Sequence, residues 1–175
     1  MTLALNDSVE DFTLPDTDGN PISLAPADAT ATVVVFTCNH CPYALAWHDR
    51  LNDVARDFAR RDVRLLYINP NDADRYPGDS REAMKARVDD GAFAAPYLHD
   101  ESQTVARAWG ARTTPDVFVV SRDGVLAYRG APDADHGDPQ LRAQWLRSAL
   151  DDVLAGDAVT KPETEPVGCS IKWRP

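Results

Sequence analysis

The chain has 175 residues, 43% of them hydrophobic, with a mean hydropathy of -0.40, which fits one soluble domain with a single core. Its 28 acidic residues against 18 basic ones leave a net charge of -10, the wrong sign for phosphate backbones, so nucleic-acid partners are excluded. The apolar runs are too short to span a bilayer, and the start Met1-Thr2-Leu3-Ala4-Leu5-Asn6-Asp7 lacks the basic end and long apolar stretch of a signal peptide, so no membrane partner and a cytoplasmic location are expected. The acidity comes from 23 Asp, set against 15 Arg and only three Lys. That balance suits a high-salt cytoplasm and equally a GC-rich genome.

In chain order, residues 11–25 hold two short apolar stretches around a turn of Asp, Gly and Asn, which predicts a small hairpin. Residues 26–30 read as a linker, and the β-branched run Thr32 to Phe36 as a buried central strand. That run leads into Thr37-Cys38-Asn39-His40-Cys41-Pro42. Two thiols separated by two residues close a small disulfide ring, and at the mouth of a helix the dipole and the free amides favour thiolate over thiol. Cys38 is therefore the candidate nucleophile and Cys41 the candidate resolving thiol. Pro42 is tolerated only in a first turn, so the helix starts at or just before Cys41. Trp47, Leu51, Val54, Ala55 and Phe58 then fall on one face of a helix that ends near Arg60-Arg61-Asp62.

Val63 to Ile68 is the second buried strand, followed by a polar loop from Asn69 to Ser80. Arg81 to Val88 reads as a short helix, Phe93 to Leu98 as extended, and Glu101 to Trp109 as a helix closed by Gly110. Val117 to Val120 and Val125 to Tyr128 are strands joined by the reverse turn Ser121-Arg122-Asp123-Gly124, hence antiparallel neighbours. Leu141 to Leu154 is a last amphipathic helix that carries Trp145, Leu146, Leu150 and Val153 on one face. The resulting architecture is α/β: a mixed central sheet with helices on both faces, an added N-terminal hairpin, a domain over 1–155 and a tail over 156–175. The tail ends in the apolar stretch around Cys169, Ile171 and Trp173, which predicts that it docks on the domain.

Three cysteines are too few for a secreted disulfide framework, and C-x-x-C in a reducing compartment points to redox chemistry or metal. Four ligands for a metal are not evident. Copper or zinc handling by Cys38, Cys41 and a histidine is kept as an alternative of another class.

C-x-x-C at a strand-to-helix junction, with Thr114-Pro115 ahead of a strand about seventy residues later, resembles the thioredoxin superfamily. The resemblance implies a cis Pro115 across from the disulfide, with Thr114 and Pro115 offering a backbone edge to a substrate chain. Val9-Glu10-Asp11-Phe12-Thr13-Leu14-Pro15-Asp16 with Gly19 is similar to the AhpC/TSA redoxin branch, which includes peroxiredoxin-like and TlpA-like members. Asn39-His40-Cys41-Pro42, Tyr76-Pro77, Thr114-Pro115-Asp116, Tyr128-Arg129-Gly130 and Gly168 to Trp173 resemble a bacterial and archaeal peroxiredoxin-like subgroup. His40 stands directly before the second cysteine, as in the strong oxidase DsbA, which implies a couple more oxidising than thioredoxin.

Two positions depart from the family pattern. Typical peroxiredoxins carry Thr or Ser three residues before the peroxidatic cysteine, where this chain has Val35; thioredoxins carry a buried Asp six residues before the first cysteine, where it has Thr32. The first departure ranks disulfide exchange above peroxide reduction. The expected function is thus a thiol-disulfide oxidoreductase without a bound cofactor, driven by an external thiol reductant such as a thioredoxin system. Its substrate is a protein or small-molecule disulfide. The alternative is a thiol peroxidase with antioxidant activity, in which Cys38 is peroxidatic and Cys41 or Cys169 resolves. Cys169 is a candidate third redox cysteine, and His40 and Pro115 complete the candidate catalytic set.

Overall fold

In the computed structural model, which describes residues 3–175, strand β3 (Ala31–Phe36) is buried at every position. Both of its faces meet a core, as its unbroken apolar sequence requires. Val33 and Val35 pack on one side with the helix residues Trp47, Leu51, Val54 and Phe58, while Val34 and Phe36 pack on the other with Leu24, Ala106 and Trp109.

Strands β4 (Val63–Asn69) and β5 (Tyr97–His99) extend the sheet in parallel on one side of β3. On its other side β7 (Asp116–Ser121) runs antiparallel to β3 and β8 (Leu126–Gly130) antiparallel to β7, giving the order β5-β4-β3-β7-β8. The central strand is therefore the one that ends at the C-x-x-C. Strands β1 (Thr13–Pro15) and β2 (Pro21–Ser23) form the N-terminal hairpin, whose Asp16 carboxylate accepts the amides of Asp18 and Asn20 across the turn.

Helix α1 (Pro42–Ala59) and helix α4 (Gln144–Ala155) cover the face of Val33 and Val35, and α2 (Arg81–Asp89) adds Met84 to the same core. Helix α3 (Thr104–Trp109) covers the opposite face and ends at left-handed Gly110, φ 67°. Two helices begin later than the sequence pattern predicts, for the same reason. Gln103 holds a left-handed backbone ahead of α3, and Arg142 and Ala143 do so ahead of α4, so neither segment continues a right-handed helix. In place of a helical first turn, the Asp100 carboxylate accepts the amides of Val105 and Ala106. Pro139–Leu141 forms only a single tight turn. Tyr97–His99 is likewise shorter than the extended run expected from Phe93.

The tail follows the sheet edge. Glu163 pairs beside Arg129 of β8, and further on β9 (Cys169–Ser170) pairs antiparallel with β6 (Thr113–Thr114).

Candidate active site

Strand β3 and helix α1 bring the two cysteines to the C-terminal end of the parallel strands. Cys41 caps α1 with an extended backbone and Pro42 occupies the first turn, where its missing N–H removes no helix bond. Both cysteines are buried, 2% and 1% exposed. Facing them is the cis Thr114-Pro115 bond. The Thr114 hydroxyl lies 3.4 Å from Cys38 Sγ, and the Thr114 carbonyl accepts from Cys41 Sγ at 3.1 Å.

The two sulfurs also contact each other, and this contact dominates their acidity. The Cys38 thiol donates to Cys41, which together with the Cys169 thiol and the amides of Ala44 and Cys169 outweighs burial and pulls Cys41 down to about 4. Cys38 is pushed up by that same bond, then by burial and the Asp79 charge, against the donors from Thr114 and His40. Each sulfur thus sets the acidity of the other, and the pair titrates as a unit.

The two residues inside C-x-x-C are tied to Asp79, which the sequence reading did not single out. Asp79 is fully buried. Its carboxylate accepts from the Asn39 amide at 2.8 Å, from Asn69 and Asn71 at 3.0 Å each, and from His40 Nδ1 at 2.9 Å. Asn39 in turn accepts from Tyr97 Oη at 2.7 Å and donates to the Gly78 carbonyl at 2.9 Å. His40 is 45% exposed, so Asp79 fixes a ring that solvent still reaches. No periodicity marks Asp79 within its polar loop.

Among the described residues, the metal-ligating atoms that gather within 4.8 Å of one another belong to Cys38, His40 and Asp79. That set leaves out Cys41. Asp79 already spends its oxygens on four donors, so the donor chemistry fits an orienting carboxylate better than a ligand.

The edge at Thr113 and Thr114 is filled by the chain itself: Thr114 pairs with Cys169 and Thr113 with Ser170. Cys169 is half-buried and packs against Cys38, Cys41 and Ala44. Arg112 and His48 are engaged in other contacts. Arg112 is exposed and pairs with Glu165 at 3.5 Å. His48 donates Nε2–H to the Ala92 carbonyl at 2.6 Å, and burial pushes its pKa down.

The AhpC/TSA family model matches residues 5–129, a span that holds both C-x-x-C cysteines and Pro115. The chain belongs to the AhpC/TSA family. This redoxin is 37% identical to a hypothetical protein from Sinorhizobium meliloti, whose crystal structure superposes with a TM-score of 0.92 over 99% of this chain and 97% of that one. A Mycobacterium tuberculosis protein provisionally named a peroxiredoxin is 28% identical over 76% of this chain and 80% of its own. The fold is shared with a Chlorobium tepidum protein provisionally named the thiol:disulfide interchange protein DsbE, at a TM-score of 0.69 and 18% identity over 87% of this chain and 99% of that one. The redoxin is thus a thioredoxin-like oxidoreductase of thiol or peroxide chemistry. Among its described residues no helix is long and apolar enough to cross a membrane.

Proposed function

We propose that this redoxin is a thiol-disulfide oxidoreductase of the cytoplasm whose Cys38 and Cys41 cycle between dithiol and disulfide. The observation that carries the reading is the pair of buried sulfurs in contact opposite the cis Thr114-Pro115 bond, Cys38 Sγ 3.4 Å from the Thr114 hydroxyl and Cys41 Sγ 3.1 Å from the Thr114 carbonyl. As Cys38 attacks a substrate disulfide, its proton passes to the substrate sulfur that leaves. Cys41 then attacks the Cys38 sulfur of the mixed disulfide, and its proton goes to the second leaving sulfur. The products are the Cys38–Cys41 disulfide and two substrate thiols, and an external thiol reductant restores the dithiol. The Thr114 hydroxyl and the His40 amide, the two donors at Cys38, favour the charge that appears there when the disulfide is reduced again.

Peroxide reduction is the second reading, and one contact favours it. The Thr114 hydroxyl at 3.4 Å from Cys38 Sγ supplies a donor that an incoming peroxide oxygen could use. Val35, the position from which typical peroxiredoxins supply that donor, is instead fully buried in the sheet core.

Stopped-flow Trp fluorescence of the reduced protein against hydrogen peroxide and against oxidised glutathione separates the two. The expected result is a peroxide rate no faster than a free thiolate's, with oxidised glutathione converting Cys38 and Cys41 to their disulfide. A peroxide rate far above a free thiolate's would make this a peroxidase.

A further inference from the structure

The tail meets the site in a way that only one residue type allows. At Gly168 a Cβ would stand 2.7 Å from the Thr114 carbonyl carbon and 3.1 Å from the Pro115 nitrogen. Both are backbone atoms of the loop that faces the cysteines, so neither has a rotamer that moves it aside. Glycine lets the tail backbone lie directly on that loop.

The chain is then fixed on the far side of Cys169. Ile171 is 3% exposed, in the core with Trp109 and Ala111. The Lys172 amide donates to Asn71 at 2.9 Å, and its carbonyl accepts from the Asp72 amide at 2.8 Å and from Gln103 at 2.9 Å. The Arg107 guanidinium lies 4.4 Å from the centre of the Trp173 ring.

Between these anchors β9 holds Cys169 opposite Thr114, where it packs against the cluster of Cys38, Cys41 and Ala44. Cys41 stands between two thiols, Cys38 and Cys169, in contact with each. Cys169 alone of the three is not fully buried. It also lies outside the residues that the family model matches.

We propose that Cys169 is a third redox cysteine that exchanges with Cys41 while the tail stays docked, moving the disulfide from Cys38–Cys41 to Cys41–Cys169. The proposal rests on the dithiol reading above. In the exchange the Cys169 sulfur attacks Cys41 Sγ, the Cys169–Cys41 bond forms, the Cys38–Cys41 bond breaks, and Cys38 leaves with the proton that Cys169 gives up. The oxidation level does not change, so no further oxidant or reductant takes part. The donors on Cys38, the Thr114 hydroxyl and the His40 amide, face the sulfur that becomes the leaving group. The exchange carries the oxidised bond from two buried sulfurs to one that an external thiol can reach.

The test is disulfide mapping by mass spectrometry after oxidation with glutathione disulfide and acid quench, on the full chain and three variants. Cys38→Ser is expected to form an intramolecular Cys41–Cys169 bond, and Cys169→Ser to hold only Cys38–Cys41. Gly168→Val pushes the tail off Thr114 with all three cysteines kept. It should lower the Cys41–Cys169 yield on the order of tenfold, because a held thiol becomes a merely tethered one, while Cys38–Cys41 still forms. Cys38→Ser that yields only glutathione adducts or linked dimers would overturn the proposal, and so would an undiminished Cys41–Cys169 yield in Gly168→Val. Failure of the dithiol reading looks different: Cys38–Cys41 would then be missing from Cys169→Ser as well.

Discussion

Thr114 reaches all three cysteines with different atoms: its hydroxyl lies against Cys38, its carbonyl accepts from Cys41, and its backbone pairs with Cys169. Two residues further along, beyond Pro115, Asp116 is fully buried, with one oxygen accepting the Arg112 amide at 3.0 Å and the other unpaired. Burial pushes its carboxyl up to about 6, against the Arg112 amide and the charge of Arg129. Because the folded value lies above the unfolded one, about 3.9, the protonated form stabilises the fold. That contribution is complete below about pH 4 and is lost as the pH rises through about 6. A shift of about two units corresponds to about 3 kcal/mol at neutral pH, as an upper figure. Asp116→Asn is therefore expected to raise the thermal midpoint at neutral pH and to match the wild type below about pH 4. Thermal melts of both proteins across that range check it, and a variant less stable at neutral pH would sink the argument.

At the level of elements, α1 is held at its second and third turns by another buried carboxylate. Asp133, in the loop after β8, accepts from Trp47 Nε1 at 2.9 Å and from Arg50 at 2.9 and 3.0 Å, and it also takes the Ala143 amide at 2.8 Å. Arg50 further donates to the carbonyls of Asp135 and His136. One ion pair, both partners buried, thereby locks the helix that carries Cys41 to the loop that leads into α4. Arg50→Ala leaves a buried carboxylate without its cation and is expected to destabilise the protein by about 3 kcal/mol or more. Urea unfolding measures it, and a loss under about 1 kcal/mol would mean that water or the remaining donors satisfy Asp133. The period of α1 was readable because its buried positions recur at three and four, from Trp47 through Phe58. The starts of α3 and α4 were not. They depend on left-handed backbones at Gln103, Arg142 and Ala143, residue types that carry no sequence signal for that conformation.

For the whole molecule, 28 acidic side chains against 18 basic ones dominate the long-range electrostatics. Exposed pairs such as Arg61 with Asp151 at 2.7 Å and Lys85 with Asp18 at 2.8 Å are worth little each. Net repulsion should therefore be the larger effect, and raising potassium chloride from about 0.01 M to about 1 M, which shortens the screening length roughly tenfold, is expected to raise the thermal midpoint. A falling midpoint would put the surface ion pairs ahead of repulsion. The order of strands and helices along the chain, the buried central strand and the thiol pair at its end are legible without coordinates, because hydrophobic period, Pro42 and the C-x-x-C spacing are local properties of the chain. It takes the folded chain to bring Asp79 onto both residues between the cysteines, Asp133 onto the helix behind them, and Gly168 and Cys169 onto the Thr114 edge. Each of those contacts joins residues at least 39 positions apart, the closest in sequence being His40 with Asp79, and a contact of that kind exists only once the sheet and the docked tail have closed the distance.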